Sequence, residues 1–293
     1  MKPGRPSLTA SYVALARAIA THDSELAAVC QDPWAERLLP SLLGGPLARA
    51  ARSRLAPQLF ALSRAGLLGM ADHMAVRTRL IDEAVAEGVA EGARQLVLLG
   101  AGLDSRAHRL PALAESTVFE VDFPSTQAFK RERARALPRC ARVLRYVPCD
   151  FEREPLRQTL LAQGFEPQRA SVWVWEGVTM YLSEAAIASS LDAIAELSAP
   201  HSRLALTYLE PFAAEVHRAL IALAMSALAA VSEPVHSMFD PVKMAQLLTE
   251  HGFETLSDAR PRDIAARYGL SALRLGFGAP NERVAVAERR ALT

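Results

Sequence analysis

From residue 95 onward, short continuous apolar runs alternate with helical patterns, and this alternation constrains the possible folds more than any other feature. Such runs are predicted to be strands buried on both faces, because they lack the polar alternation of half-exposed strands. The predicted strands are Gln95–Leu99, Thr117–Val121, Arg142–Val147, Ser171–Trp175 and Arg203–Leu209, and the helices between them are Ser125–Arg135, Glu154–Gln163 and Glu184–Leu197. Strands separated by helices form βαβ units, which predicts a parallel sheet with helices on both faces.

The first ninety residues, by contrast, contain only helical patterns. We expect a helix to begin at Asp32-Pro33, since Asp can cap free amides and Pro fits the first turn. Gly44-Gly45-Pro46 is expected to break the chain, and a long amphipathic helix is predicted from about Asp72 to Glu91. Residues 1–92 are therefore predicted to form a helical cap.

The end of the chain adds a helix near Pro241–His251 and two further strands, at Glu254–Ser257 and Arg283–Ala287. We find no internal repeat and no low-complexity linker that would divide the chain. The sequence therefore predicts one domain over residues 1–293, with its core over 93–293.

No apolar run is long enough to span a membrane. The longest candidate, Ala219–Val231, is short, rich in alanine and interrupted by Ser226. We therefore expect a buried or lid helix there, within a lid insertion at about 212–240. The start of the chain, Met1–Thr9, lacks the apolar core of a signal peptide, so we expect a cytoplasmic protein without a membrane partner.

Charge and cysteine content exclude further classes of function. A formal net charge of +1 argues against a nucleic-acid groove, because phosphate binding needs a local excess of Lys and Arg. The basic stretch Lys130–Arg135 is interrupted by Glu132, which favours a solvated helix face. Cys30, Cys140 and Cys149 form no CxxC pair and no zinc-ligand spacing, so we expect reduced thiols and no metal site.

In an open parallel sheet, ligands bind at the carboxyl ends of the strands, so the residues that follow each predicted strand are candidates for a binding site. Gly100-Ala101-Gly102 follows the first strand, and two glycines allow the backbone to approach a ligand closely. A structural turn is the alternative explanation. The third glycine of a dinucleotide-binding fingerprint would fall at Ser105, which disfavours NAD without excluding it.

Asp122 follows the second strand, 20 residues after Gly102. A carboxylate there can accept hydrogen bonds from both ribose hydroxyls of an adenosine. The alternative is an ordinary helix cap, because Pro124 is predicted to begin a helix. We favour the ribose role, given the paired glycine turn.

Asp150 and Phe151 follow the third strand. An acceptor at this edge could hold the adenine amino group, and the aromatic ring could pack on the base. Capping of the next helix explains Asp150 equally well.

Glu176 ends the fourth strand, directly after a Val-Trp-Val-Trp run. A carboxylate there is costly to bury without a cationic or donor-rich partner. The sulfonium and amino groups of S-adenosylmethionine would supply one.

Arg77 is predicted to lie on the apolar face of its helix. By three- and four-residue spacing it shares that face with Met74, Ile81 and Ala84. Arg79, by contrast, lies four residues before Glu83 on the polar side. An arginine on an apolar face needs an anion, which is either a protein carboxylate or the carboxylate of the methionine moiety.

Four motifs occur in a fixed order, at Arg77–Asp82, Leu98–Arg106, Phe119–Pro124 and Glu176–Leu182. Together they resemble the leucine carboxyl methyltransferase family, in particular the bacterial branch of tetracenomycin-type polyketide O-methyltransferases and their mycobacterial relatives. The similarity runs from about Ala14 to the last strand.

The resemblance implies an α/β, Rossmann-like class I methyltransferase fold, whose seven-stranded, mostly parallel sheet has an antiparallel last strand. It implies S-adenosyl-L-methionine as the cofactor. By motif, the implied cofactor-binding residues are Arg77 for the carboxylate, Gly100 and Gly102 for the methionine part, Asp122 for the ribose, Asp150 and Phe151 for the adenine, and Glu176 for the amino end. Phe151 departs from the aliphatic residue that eukaryotic members usually have there.

The expected function is O-methylation of a carboxylate or hydroxyl of a small molecule, such as a polyketide-type metabolite. A carboxylate is ionised at neutral pH and needs no base, whereas a phenol or alcohol usually needs one. Tyr181, His73 and His236 are candidates for a base or orienting group, but each has a structural explanation, and the sequence assigns no catalytic residue. The alternatives are a nicotinamide-dependent oxidoreductase and a non-catalytic S-adenosylmethionine-binding protein.

Overall fold

The computed structural model describes residues 7–150, 154–211, 235–275 and 281–291. The strands are β1 (Gln95–Leu99), β2 (Thr117–Asp122), β3 (Val143–Pro148), β4 (Ser171–Trp175), β5 (Arg203–Leu209), β6 (Phe253–Ala259) and β7 (Glu282–Arg289). The α-helices are α1 (Leu8–His22), α2 (Ala35–Leu38), α3 (Ser41–Ala51), α4 (Ala56–Gly66), α5 (Met70–Ala90), α6 (Arg106–Arg109), α7 (Pro124–Ala134), α8 (Leu156–Ala162), α9 (Glu184–Leu197), α10 (Pro241–Glu250), α11 (Pro261–Ile264) and α12 (Ala272–Leu275). Short 3₁₀ turns lie at Leu26–Ala28, Pro111–Glu115, Thr179–Tyr181 and Ala265–Tyr268.

The seven strands form one sheet in the order β3-β2-β1-β4-β5-β7-β6. Neighbours from β3 to β5 are parallel, whereas β7 lies between β5 and β6 and runs antiparallel to both. The predicted mostly parallel sheet with an antiparallel last strand is thus confirmed.

Both faces of the central strands are buried, as the continuous apolar runs predicted. Trp173 and Trp175 of β4 pack on one face in a cluster with residues of α9, while Val172 and Val174 pack on the other with residues of α5. Successive side chains of a strand point to opposite faces, so a strand between two helical layers needs apolar residues at every position.

The helical region before β1 packs onto the core through α1 and α5 and through directed hydrogen bonds. Arg17 on α1 donates to the carbonyl oxygen of Leu103 at 2.7 Å. The indole nitrogen of Trp34 donates to the carbonyl oxygen of His108 at 3.1 Å. These bonds fix the helices of the cap beside the loop that follows β1.

One prediction for this region is wrong: Gly44-Gly45-Pro46 does not break the chain but lies inside α3. A Cβ at Gly44 would overlap the backbone carbonyl of Glu36, so glycine permits the close packing of α3 on α2. Pro46 removes the hydrogen bond to the carbonyl of Leu42, and that residue is 89% exposed, so water can replace the missing donor. Close packing and solvent access outweigh the local helix-breaking preference.

The predicted helix start near Asp32 is displaced by two residues. α2 begins at Ala35 rather than Pro33, and the Asp32 carboxylate accepts from the amides of Trp34 and Ala35 at 3.3 and 3.0 Å. The capping role of Asp32 is confirmed.

The prediction of a solvated face at Lys130–Arg135 is wrong for Lys130. This residue is 1% exposed, and its Nζ lies 2.7 Å from an oxygen of Glu120, a fully buried residue of β2. Burial raises the pKa of Glu120 to about 7, although Lys130 acts in the opposite direction. The sequence pattern did not reveal that one lysine of the basic stretch points inward toward a buried acid.

Two expectations concern the lid and the membrane. Most of the lid insertion expected at 212–240, including Ala219–Val231, lies outside the described residues, which resume at 235. Among the residues that are described, no helix has the length and apolar character needed to cross a membrane.

Candidate functional site

The ends of β1, β2 and β4 meet at one edge of the sheet. In the parallel register, Leu99 lies opposite Val121 and Leu98 lies opposite Val174. Gly100, Asp122 and Glu176 therefore leave the sheet side by side at its carboxyl edge, the position at which such sheets bind ligands.

The two glycines after β1 both adopt left-handed backbone conformations, with φ of +65° at Gly100 and +46° at Gly102. A Cβ at Gly100 would overlap the side chain of Val178, which belongs to the motif after β4. A Cβ at Gly102 would lie 3.2 Å from that of Ala10 on α1. Packing therefore excludes a side chain at Gly100 and crowds one at Gly102, and the left-handed backbone favours glycine at both, whatever ligand they approach.

The carboxylate of Asp122 bonds to the glycine loop. Its carboxylate accepts from the amide of Gly102, and from that of Phe123 at 2.6 Å. The carboxylate of Asp122 therefore lies between the loops after β1 and β2.

Asp150 lies two residues beyond β3. The structure separates it from α8, which begins six residues later at Leu156 without a side-chain cap. Its amide donates to Glu154 at 2.8 Å. Phe151 lies outside the described residues.

Arg77 is buried, and two protein carboxylates lie against its guanidinium group. Its Nε and Nη2 contact one oxygen of Glu176 at 3.0 and 2.8 Å, and its Nη1 donates to Glu282 at 2.8 Å. Its side chain is 4% exposed. The anion expected on this apolar helix face is therefore present within the protein itself.

Arg106 is the second cation on Glu176, and the sequence analysis assigned it no role. It is fully buried and donates to Glu176 at 2.7 Å, to Asp82 at 2.7 Å and also to Asp104. Its Nη2 has no acceptor among the described residues. Arg106 and Asp82 each lie within a family motif, and their place in the motifs could have identified them as candidate site residues. Their contact across 24 residues could not be predicted from the sequence.

The arginines determine the charge state of Glu176. Burial alone raises the pKa of a carboxyl group, but Arg106 and then Arg77 outweigh it and hold the pKa of Glu176 far below its usual range. Glu176 is thus a carboxylate at any physiological pH, and its charge is already shared between two guanidinium groups.

Glu282, the first residue of β7, also lies at this site, and the sequence analysis assigned it no role. It lies opposite Leu209, at the carboxyl end of β5, and therefore at the same edge as Glu176. Besides Arg77 it contacts His73, whose Nε2 lies 2.5 Å from its Oε2. A carboxylate only accepts, so His73 donates. Burial opposes ionisation of Glu282, but Arg77 and then His73 lower its pKa.

The three candidate bases differ in position. His73 is 1% exposed and bonded to Glu282, whereas His236 is exposed and its amide donates to the carbonyl of Met180 at 2.7 Å. Tyr181 is half-buried at the end of the 3₁₀ turn after β4. None of them is assigned as a catalytic base by these contacts.

The comparison with known protein families agrees with this arrangement. The model of the leucine carboxyl methyltransferase family matches residues 10–195. The match therefore includes all four motifs and ends in α9. The sequence analysis expected the resemblance to continue to the last strand, whereas the family model matches the chain only up to residue 195.

A protein from Mycobacterium sp. strain KMS, named as an S-adenosyl-L-methionine-dependent methyltransferase, is 40% identical over 203 residues, or 68% of this chain. The chain spans 65% of the length of that relative. Two solved structures have TM-scores of 0.59: a DUF574 family protein from Streptomyces avermitilis, with 15% identity over 93% of this chain and 96% of its own, and a protein from Thermobifida fusca named as a methyltransferase, with 14% identity over 98% and 96%.

These structural likenesses concern the fold alone, and they confirm the predicted Rossmann-like class I methyltransferase fold. Since the family model matches more than half of the chain, the family itself is established. The chain belongs to the leucine carboxyl methyltransferase family.

Proposed function

We propose that this chain is an S-adenosylmethionine-dependent methyltransferase acting on an oxygen atom of a small molecule. The observation that carries the proposal is the convergence of the four family motifs at one sheet edge. There Gly102 bonds Asp122, and Arg77 bonds Glu176. Family membership and the names of the relatives support the same reaction class. They do not favour an oxidoreductase or a non-catalytic binding protein.

The residues at this edge fit the cofactor chemically. Asp122 offers a carboxylate to ribose hydroxyls, and the buried Nη2 of Arg106 is a donor that lacks an acceptor among the described residues. A Cβ at Gly177 would meet no atom within 4 Å, so there is open space next to Glu176. The donors, acceptors and space at this edge support the placement of the cofactor here.

The proposed roles follow the motifs. We assign the cofactor carboxylate to Arg77, the methionine part to the Gly100 and Gly102 loop, the ribose to Asp122, the adenine to Asp150 and Phe151, and the amino group to Glu176. Because Arg77 already contacts two carboxylates, it can hold a third only through its remaining N–H groups or by exchanging a partner. Arg106 is its neighbour on Glu176 and would stay paired throughout.

The bound cofactor supplies an electrophilic methyl group. The residues of this chain contribute position and a site shielded from water, because the arginine and carboxylate side chains are buried and mutually fixed. An acceptor carboxylate would need no base, which agrees with the engagement of His73 by Glu282 and the exposure of His236. We therefore favour a carboxylate over a phenol or alcohol.

Ligand binding tests the cofactor assignment. Calorimetry should detect S-adenosylmethionine and S-adenosylhomocysteine but not NADH. Asp122→Ala removes charged hydrogen bonds worth roughly 1.5–3 kcal/mol, so affinity should fall by about one to two decades. Asp192→Ala is the matched control, since Asp192 is 67% exposed and pairs with His251. NADH binding without a response to S-adenosylhomocysteine would refute the function, and unchanged affinity in Asp122→Ala would refute the ribose role.

The acceptor can be tested with methyl-labelled cofactor and a panel of small carboxylic acids, phenols and alcohols. Labelled methyl esters release methanol in mild base, whereas methyl ethers retain the label. For a carboxylate, single-turnover rates should be nearly flat from about pH 6 to 9. Two results together would instead establish a hydroxyl acceptor. The methylated product would be stable in base, and the rate of methyl transfer would fall as the pH drops below neutrality in the wild type but not in a His73 or His236 variant.

We also propose that cap and core form one domain, with a lid insertion at about 212–240. The hydrogen bonds from Arg17 and Trp34 into the core support this unit. A single cooperative unfolding transition by two probes would agree with it, and separate transitions would contradict it. We retain a cytoplasmic location as a prediction, supported by the free thiols of Cys30, Cys140 and Cys149.

A further inference from the structure

The basic stretch that begins at Lys130 has no part in the proposed reaction. Residues 130–145 contain seven Lys and Arg residues and one acid, Glu132. Lys130 is buried beside an acid, and Arg133 donates to the hydroxyl oxygen of Ser41 at 2.7 Å. These contacts account for only part of the positive charge.

Three of the remaining arginines, Arg135, Arg139 and Arg142, line one cleft beside the edge strand β3. The cleft has a volume of about 590 Å³, which is the size of a small-molecule site. All three residues are exposed, and the described part of the chain pairs none of them with a carboxylate. No described residue that lines the cleft is acidic, so the cleft itself does not balance their positive charge.

General effects explain some of these charges but not all. Arg135 is the C-cap of α7, where a cation is favourable, and Arg145 on β3 protects the edge of the sheet. Arg139 and Arg142 belong to neither element. Like charges that share a cleft repel one another, so an anion between them would be stabilising.

The loop from 138 to 142 is held in place by hydrogen bonds to the segment after β1. The amide of Cys140 donates to the carbonyl oxygen of Ala107 at 3.0 Å, and the amide of Arg142 donates to that of Leu113 at 3.3 Å. The two arginines of this loop are therefore presented by a fixed backbone, which lowers the entropic cost of binding a ligand.

His108 also lines the cleft, and the residue is 4% exposed. Its Nδ1 lies 2.8 Å from the carbonyl oxygen of Pro138 and therefore donates, whereas its Nε2 has no partner among the described residues. Burial lowers the pKa of His108, and the nearby charges of Lys130 and Arg139 act in the same direction. An anion in the cleft would oppose the effect of these charges, so His108 can report its binding.

We propose that this cleft binds a small molecule that carries a diphosphate or similarly clustered phosphate groups. A guanidinium group donates two parallel N–H bonds to phosphate oxygens, and three such groups suit a ligand with several negative oxygens in a small volume. Leu144 and Tyr146 also line the cleft and supply an apolar wall for the rest of the ligand. Because the arginines line one cleft rather than a long face, they favour a small ligand over a nucleic-acid backbone.

The proposed phosphate site does not depend on the placement of the cofactor, because none of the residues that line the cleft belongs to the candidate cofactor site. Calorimetry at low ionic strength with inorganic pyrophosphate tests it. We expect one pyrophosphate per chain and weaker binding of citrate, whose carboxylates provide a similar charge.

The double variant Arg139→Gln, Arg142→Gln should bind pyrophosphate at least about tenfold more weakly, because charged hydrogen bonds are lost. Both arginines are exposed, so the variant should fold as the wild type does. The matched control is Arg49→Gln with Arg54→Gln, which removes the same charge from exposed positions of the cap and should leave the affinity unchanged.

A wild type that does not bind pyrophosphate, or that binds citrate equally well, would overturn the phosphate site. Equal weakening in the two double variants would show a general attraction to positive charge, which also overturns it. Competition by S-adenosylhomocysteine would place pyrophosphate in the cofactor site instead of this cleft. Displacement of pyrophosphate by tightly bound duplex DNA would identify a nucleic-acid surface and overturn the assignment of a small ligand.

The ring signals of His108 in nuclear magnetic resonance spectra provide a local readout. Pyrophosphate should shift them in the wild type and raise the pH at which they titrate, whereas the Arg139→Gln, Arg142→Gln variant should show neither change. Signals that stay in place while calorimetry detects binding would locate the ligand elsewhere and contradict the assignment to this cleft.

Discussion

Strand β7 carries a glutamate near each end, and each pairs with a histidine from another part of the chain. Glu282 pairs with His73, and the two side chains are 3% and 1% exposed. Glu288 pairs with His201, with side chains 28% and 72% exposed. The residue types are the same, but the surroundings differ, and so does the contact: His73 Nε2 lies 2.5 Å from Glu282, and His201 Nδ1 lies 3.1 Å from Glu288.

The two ends of β7 lie at opposite edges of the sheet. Glu282 is opposite Leu209 at the carboxyl end of β5, while Glu288 is opposite Arg203 at its amino end. At the carboxyl edge, the loops after the parallel strands and the helix α5 converge, and Arg77 joins the first pair. Burial of Glu282 is therefore compensated by a guanidinium group, whereas Glu288 remains in contact with water and has no need of one.

The largest expected effect comes from removing that guanidinium group. Arg77→Ala would remove the cation that the buried carboxylates of Glu176 and Glu282 share. We therefore expect the free energy of unfolding of the cofactor-free protein to fall by about 3–5 kcal/mol. Chemical denaturation monitored by two probes measures this. Loss of stability without ligand would show that Arg77 is a structural partner, in addition to its proposed role toward the cofactor.

Arg79→Ala is the control for this prediction, because Arg79 lies two residues further on the same helix. Its pair with Glu83 is exposed, with side chains 47% and 33% accessible, and such pairs contribute roughly 0.3–0.5 kcal/mol. Equal losses in the two variants would mean that burial does not determine the strength of these contacts.

An intermediate effect is expected from Glu282→Gln. The variant should lose about 1.5–3 kcal/mol at neutral pH, because Glu282 makes charged hydrogen bonds to Arg77 and His73. Since its pKa is lowered in the folded protein, this contribution is complete above the unfolded value of 4.5 and is lost as the pH falls through the lower folded value.

The stability difference between the wild type and Glu282→Gln should therefore shrink on acidification below about pH 4.5. Unfolding curves between pH 7 and pH 3 measure it. A difference that grows on acidification would contradict the lowered pKa.

The two ends of β7 also show which features of the fold and of the candidate site can be predicted from the sequence. The bounds of β1, β4 and β5 were predicted to the residue, because continuous apolar runs report burial on two faces. Asp122 and Glu176 were selected as candidates because a general rule places ligand sites after parallel strands. Glu282 was not found, since it begins a strand among polar residues and its partner Arg77 is 205 residues away.

Other sequence-based predictions were wrong for the same reason, because contacts between residues distant along the chain determine the outcome. Gly44 and Pro46 have local helix-breaking preferences, but close packing on α2 determines the outcome. Lys130 has the charge of its exposed neighbours, yet it points toward the buried Glu120. Local pattern predicts elements and strand ends, whereas the pairing of buried charges depends on which strands and helices meet.

The smallest expected effect is that of Glu288→Gln, and it sharpens the comparison most directly. Glu288 and His201 are solvated, so removal of the charge should change the free energy of unfolding by no more than about 0.5 kcal/mol. The change should decrease further in high salt, because solvent ions screen exposed pairs. Glu282→Gln serves as the reference and should keep most of its larger effect in high salt, since its partners are buried. Denaturation at low and high ionic strength measures both variants. If Glu288→Gln costs more than about 1 kcal/mol, or if salt weakens the two effects equally, then exposure is not what distinguishes the two pairs.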